Sequence, residues 1–398
     1  MDITIHPGKL NGAIHAITSK SQAHRLLICA AFSNAPTAIL CENTNKDIEA
    51  TAQCLRALGA EIDHTALGYF VKPIQKITKE AQIDCCESGS TLRFLLPVVC
   101  ALGITTTIRM QGRLPYRPLS PLWEELERMG CRLSRPTEST ILAEGKLRVG
   151  DYTIAGNVSS QFVSGLLFAL SLLNGQSRIH ITGNLESKDY VNMTQKALGI
   201  FGVNTNNYIV NGSYPFSSPI KVCVEGDWSN ASFFLVANAL GSTIAIDNLD
   251  RTSLQGDRNI EEILKIDEPM PVIDVANIPD LLPVLAVYFA AKNGAVFQNI
   301  ARLRLKESDR VESVTKLLNA LGISVSGDEN TMIVYGGIIR GGMVDACNDH
   351  RIAMTAAIAS TVADGLVTIV GAECVTKSYP AFWQDFQTLG GYYEQYVR

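Results

Sequence analysis

Two kinds of apolar stretch alternate along this chain, and their spacing predicts a repeated fold. The first is an alanine-rich helical run that ends at a small residue and passes into a β-branched strand. CAAFSNAPTAIL, VVCALGITTTI, ALSLLNGQSRIHI, VANALGSTIAI, VYFAAKNGAVF and ASTVADGLVTIV are its six copies. Their turn residues, Ala35, Gly103, Gly175, Gly241, Gly294 and Gly365, stand 68, 72, 66, 53 and 71 residues apart. The second kind is a helical stretch ending in an apolar residue followed by glycine, at Gly59, Gly130, Gly202, Gly322 and Gly390. Glycine there fits a left-handed helix cap, and the residues beyond it alternate like strands.

Together these markers predict an α/β chain of six strand–helix–strand–helix units, dividing into two domains of three. The fourth unit departs from the pattern. Its capping glycine is missing, and the helix NIEEILKI runs straight into DEPMPVIDVANIPD. The short 53-residue interval implies that this unit has lost about 15 residues, roughly a strand pair.

Composition adds limits. An apolar fraction of 46% and a charged fraction of 18% describe a globular protein, and 398 residues exceed one ordinary core. The opening MDITIHP carries no signal-peptide pattern, and the longest apolar run, 162–173, is about a dozen residues, a buried helix and not a membrane span. Ten scattered cysteines read as reduced core residues, and the Cys85–Cys86 pair lacks metal-ligand spacing. No metal or cofactor is expected. The net charge of −5, with no basic block, excludes nucleic acid as a partner. An anion site here must be built locally.

Counting fifteen residues back from each turn residue gives Lys20, Ser88, Ser160, Gly226, Pro279 and His350. All six lie in polar motifs that open the apolar helices: SKSQAHR, ESGSTLRF, NVSSQF, EGDWSN, NIPD and NDHR. Capping accounts for the serines, asparagines and aspartates. It does not account for Lys20, Arg25, Arg93 and Arg351, because a helix start disfavours cations. The pattern makes sense if anions sit before these helices, facing both N–H groups and cations. KESDR at 306–310, KSYP at 377–380 and the loop 112–118 around Arg117 stand before the second helices of their units. His350, flanked by Asp349 and Arg351, is read as a site residue, and His24 as packing.

In this order the motifs, with VSSQF, ESKDY and TKSYP, resemble the 3-phosphoshikimate 1-carboxyvinyltransferases (EPSP synthases) over nearly the whole chain. The resemblance implies a two-domain inverse α/β barrel of six βαβαββ-type units, three per domain. Units 1–3 would fill residues 20–224, and units 4–6 residues 1–19 with 225–398, with the active site in the cleft between them. It implies an enzyme of aromatic amino-acid (chorismate) biosynthesis in the shikimate pathway, cytoplasmic and monomeric, that moves the enolpyruvyl group of phosphoenolpyruvate to the 5-hydroxyl of shikimate 3-phosphate. Its partners would be small anionic substrates, with no membrane and no nucleic acid.

By the same resemblance, Lys20, Gly89, Arg117, Gln161, Arg310, Arg351 and Lys377 would hold phosphoenolpyruvate. Lys20, Ser21, Arg25, Ser159, Ser160, Gln161, Ser187, Asp280 and Lys306 would hold shikimate 3-phosphate. Asp280 would take the 5-hydroxyl proton, Glu307 or Lys377 would protonate C3, and Lys20 would stabilise the departing phosphate. Arg93 and His350 would stand nearby, and Tyr190 either touches substrate or packs. Glu87 and Arg302 stand where many members carry asparagine. The alternatives are the related transferase acting on UDP-N-acetylglucosamine, which usually has a reactive cysteine in the loop that here reads GRLPYR, and a non-catalytic anion-binding relative.

Overall fold

The computed structural model describes residues 1–212 and 214–396. The chain divides into two compact units, Thr18–Glu225 and the pair Met1–Ile17 with Gly226–Arg398. Each has its own apolar core. Among the described residues there are six sheets, three in each unit.

The second repeat shows the complete pattern. Strand Glu80–Asp84, helix Gly89–Leu102 and strand Thr105–Arg109 form a parallel crossover. A shorter helix, Leu122–Arg128, leads into the antiparallel pair Cys131–Thr137 and Thr140–Gly145. The sheet order is first, second, fourth, third strand. Helix Gly89–Leu102 is buried over nearly its whole length, which is why its sequence is apolar all round.

The other repeats are variations on this one, and three borrow strands from distant parts of the chain. The first opens directly with helix Lys20–Ala31, and its first strand is supplied by Lys221–Cys223, parallel to Thr37–Leu40. The third has three strands, Asp151–Ala155, Gln176–Thr182 and Ile209–Asn211. In the fourth, Thr243–Asp247 pairs with Asn11–His15 in a two-stranded sheet, so the strand pair missing from the sequence is missing from the fold. The fifth is complete. In the sixth, Asp2–Ile5 lies between Val367–Val370 and Tyr393–Tyr396, antiparallel to both. The first seventeen residues therefore belong with the second half of the chain.

The helix ends follow the sequence signals. Ser19, Asn45, Ser88, Ser159, Asp227, Asp309 and Asp349 are N-caps whose side chains accept a backbone N–H two or three residues on. Gly59, Gly130, Gly202, Gly322 and Gly390 all have positive φ, from 80° to 113°, just beyond helix C-caps. Three local expectations need correction. NIEEILKI forms only a short helix, Ile260–Ile263, entered from the 3-10 turn Gly256–Asn259. Gly294 begins the strand Gly294–Gln298 instead of ending a helix. Pro279 and Asp280 precede helix Leu282–Ala290, whose cap position is Leu281, so Asp280 is not a capping residue.

Candidate active site

In the Thr18–Glu225 unit, the site residues gather around two arginines. Lys20 is the first residue of helix Lys20–Ala31 and its ammonium pairs with Asp47 at 3.0 Å. One turn on, Arg25 is 2% exposed. It donates from Nε to Thr194 Oγ1 at 2.8 Å, from Nη1 to the Ser21 carbonyl at 2.5 Å and from Nη2 to the Tyr190 carbonyl at 2.8 Å. Its guanidinium carbon stands 5.0 Å from the Phe94 ring centroid. Burial pushes Arg25 down to about 10, so it stays cationic at neutral pH. Tyr190 thus contributes through its backbone, two residues into the helix Lys188–Ile200 that Ser187 precedes with φ 52°.

Arg93 organises the second group. It donates to Gln161 Oε1 at 3.0 Å and to the Pro118 carbonyl at 3.2 Å. Gln161 in turn donates to Ser90 Oγ at 2.8 Å, and its backbone N–H is capped by Ser159 at 3.3 Å, with Ser160 buried beside it. Gly89 has a specific reason to lack a side chain: a Cβ there would stand 2.6 Å from Arg117 Nη1 and 2.8 Å from Arg93 Nη1. The guanidiniums of Arg93 and Arg117 thus converge on the first residue of helix Gly89–Leu102. The Glu87 carboxyl packs against Gly112, in the loop that leads to Arg117.

In the other unit a denser cluster surrounds Asp280. Arg310 Nη1 meets Asp280 Oδ1 at 2.6 Å, Arg351 Nη2 meets Oδ2 at 3.0 Å, and Lys306 Nζ lies 3.7 Å from Oδ1. Arg310 also pairs with Glu307 at 2.7 Å and with the fully buried Asp349 at 3.2 Å. Ser308 donates to the same Asp349 oxygen at 3.0 Å. Burial alone would raise the Asp280 pKa, but Arg351, Lys306 and Arg310 hold it well below the usual carboxylate range. For Lys306 burial dominates and, with Arg310 and Arg302 close by, lowers it to about 8 despite Asp280. For Arg310 the balance reverses: burial opposes the charge, yet Asp349, Glu307 and Asp280 raise its pKa above the ordinary arginine value. Lys377 ends the 3-10 turn Ala372–Lys377 and donates to the Asn348 carbonyl at 2.9 Å, beside the start of helix His350–Ser360. His350 is buried in the first position of that helix. Arg302 donates to the Ala276 carbonyl, fastening the turn Ala301–Leu305 to the stretch before Asp280.

Each unit therefore presents cations at its helix starts, as the motifs predict. Of their partners, Asp280, Glu307 and Asp349 stand in the motifs themselves, whereas others are not marked in the sequence. Asp47, Ser90, Thr194 and Ser308 come from helices and loops whose facing depends on tertiary packing. Asp47 and Asp349 could have been flagged as acids one helix away from, or next to, a site cation.

The family model for EPSP synthase (3-phosphoshikimate 1-carboxyvinyltransferase) matches residues 5–270 and 260–386. A 3-phosphoshikimate 1-carboxyvinyltransferase of Clostridium kluyveri is 41% identical over 98% of this chain and 97% of its own length. One from Clostridium beijerinckii is 37% identical over 99% of each. Among solved structures, an EPSP synthase from Acinetobacter baumannii superposes with a TM-score of 0.80 at 22% identity, covering 99% of this chain and 100% of that one. The enolpyruvyl transferase NikO from Streptomyces tendae gives 0.76 at 18% identity, covering 100% and 99%. At those identities the two structures speak for the fold.

Proposed function

Because the chain belongs to the EPSP synthase family, we propose that it transfers the 1-carboxyvinyl group of phosphoenolpyruvate to the 5-hydroxyl of shikimate 3-phosphate and releases phosphate. The observation that carries this reading is the cation set at helix starts in both units. Each substrate brings a phosphate and a carboxylate, and guanidinium and ammonium groups answer those four anions. Arg117, Arg310, Arg351 and Lys377, with Gly89 and Gln161, take phosphoenolpyruvate. Ser21, Arg25, Ser159, Ser160, Gln161, Ser187 and Lys306 take shikimate 3-phosphate, and Lys20 serves both.

In the first step the 5-hydroxyl oxygen bonds to C2 of phosphoenolpyruvate. Its proton passes to Asp280, while C3 receives a proton from Glu307 or Lys377. The tetrahedral adduct then loses phosphate from C2 and a proton from C3, leaving the enol ether. Asp280 suits the base role only once a substrate anion has drawn Arg310 and Arg351 away, because their pairing holds its proton affinity low. Arg93 and His350 support the shell around these groups.

A phosphate-release assay tests the proposal. Phosphate should appear only when both substrates are present, and its absence with both would overturn the reading. The proposal extends to a cytoplasmic, monomeric enzyme. The cysteines are free thiols, seven of the ten buried, which fits a reducing compartment. No helix among the described residues is long and apolar enough to cross a membrane. Sedimentation of the purified chain at monomer mass is the matching measurement.

A further inference from the structure

Helices Lys20–Ala31, Lys46–Ala57 and Gly89–Leu102 share a polar seam inside an otherwise apolar core. His24, Thr51 and Thr91 are each 0% exposed, and Ser88 is 1% exposed. His24 Nδ1 lies 2.7 Å from Thr51 Oγ1, which lies 2.6 Å from Thr91 Oγ1, which donates to Ser88 Oγ at 2.8 Å.

Each hydroxyl has one hydrogen, so the chain has a single consistent direction. Thr91 spends its hydrogen on Ser88, so Thr51 must donate to Thr91, and His24 must donate to Thr51. His24 is therefore the Nδ1–H tautomer, and its Nε2 has no hydrogen-bond partner among the described residues. Burial first, then Lys20 and Arg25, keeps the ring well below the ordinary imidazole pKa, hence neutral. A neutral histidine with a buried, unpaired nitrogen is a costly way to fill a core. Packing alone, the role the sequence suggests, would be served better by an apolar residue.

The location gives the seam a purpose. His24 is one turn beyond Lys20, and Thr51 one turn beyond Asp47, so Lys20–Asp47 and His24–Thr51 are two rungs between the same pair of helices. At its far end, Ser88 caps the helix whose first residue, Gly89, lies against the Arg117 guanidinium. We propose that the His24–Thr51–Thr91–Ser88 chain fixes the spacing between the Lys20 and Gly89 helix starts, making His24 a positioning residue for phosphoenolpyruvate. This rests on the reading that Lys20, Gly89 and Arg117 hold that substrate. Bonds of 2.6–2.8 Å in one fixed direction leave the helices little room to slide before contact is lost.

Thr51→Val removes the central hydroxyl at nearly constant volume, and Thr51→Ser restores it. The valine variant should raise the KM for phosphoenolpyruvate at least fivefold, change that for shikimate 3-phosphate less than twofold, and lower kcat. The serine variant should return all three to within twofold of the parent. A stably folded valine variant whose two KM values move together, or not at all, overturns the proposal. Ring ¹⁵N shifts of the unmodified protein provide a test that needs no variant: His24 should show the Nδ1–H tautomer, and an Nε2–H tautomer overturns the chain. If the parent releases no phosphate from the two substrates, the functional reading has failed, while the tautomer measurement still judges the seam.

Discussion

The two units hold their cations in different ways. In Thr18–Glu225, Arg25 is gripped by a hydroxyl and two backbone carbonyls, and Arg93 by an amide oxygen and a carbonyl. These contacts aim a guanidinium without cancelling its charge. In the other unit, Arg310 and Arg351 meet the carboxylates of Asp280, Glu307 and Asp349. There the cations of the proposed site already hold internal carboxylates, which an incoming anion would have to replace. In the first unit Lys20, paired with Asp47, shares this feature, whereas Arg25 is held by neutral groups. In the proposed reaction that exchange would also link binding to chemistry, since freeing Asp280 from its arginines would let it act as a base.

The contrast can be broken most severely at Arg310. Arg310→Ala leaves fully buried Asp349 beside Asp280 and Glu307 without their shared guanidinium. Stability should fall by roughly 3–5 kcal/mol in denaturant titration, with turnover lost. Asp280→Ala tests the exchange itself: kcat should drop about a thousandfold. Phosphoenolpyruvate should nevertheless bind about tenfold tighter by calorimetry, roughly 1.4 kcal/mol, because the internal competitor is gone. Weaker binding in that variant would mean that Asp280 organises the arginines instead of competing for them.

The pH dependence sharpens the same point. Lys306 titrates at about 8, below its unfolded value of 10.5, so the folded protein favours its neutral form. Conformational stability should therefore rise with pH between those values, while kcat/KM for shikimate 3-phosphate falls about tenfold per unit above about 8. Lys306→Arg should remove that fall. The smallest effect belongs to the Thr18–Glu225 unit. Gly89→Ala sets a Cβ 2.6 Å from Arg117 Nη1, and that side-chain end can shift, so the KM for phosphoenolpyruvate should rise about tenfold with little change for shikimate 3-phosphate.

Much of this was legible because the repeat is written locally. Caps such as Ser88 and Asp349 and the positive-φ glycines act within one turn of their own position, so a single sequence exposes them. The loan of Lys221–Cys223 was not legible, since it completes a sheet with Thr37–Leu40, nearly the length of a domain away. The same holds for the site. Lys20, Arg310 and Arg351 stand out by their helix positions, whereas Asp47 is indistinguishable from any first-turn acid until two helices pack. The seam around His24 is hidden for the same reason: Thr51 and Thr91 lie on other helices, and nothing near His24 in sequence announces them.

The strand Asp2–Ile5 carries a consequence for how the molecule is made. It is translated before Thr18–Glu225 but completes its sheet only with Val367–Val370 and Tyr393–Tyr396, which are translated after that unit. Thr18–Glu225 has every strand it needs in one continuous stretch and can mature while translation continues. The unit formed by Met1–Ile17 and Gly226–Arg398 is therefore completed after Thr18–Glu225, and a nascent chain stalled short of residue 367 would lack both strands that flank Asp2–Ile5.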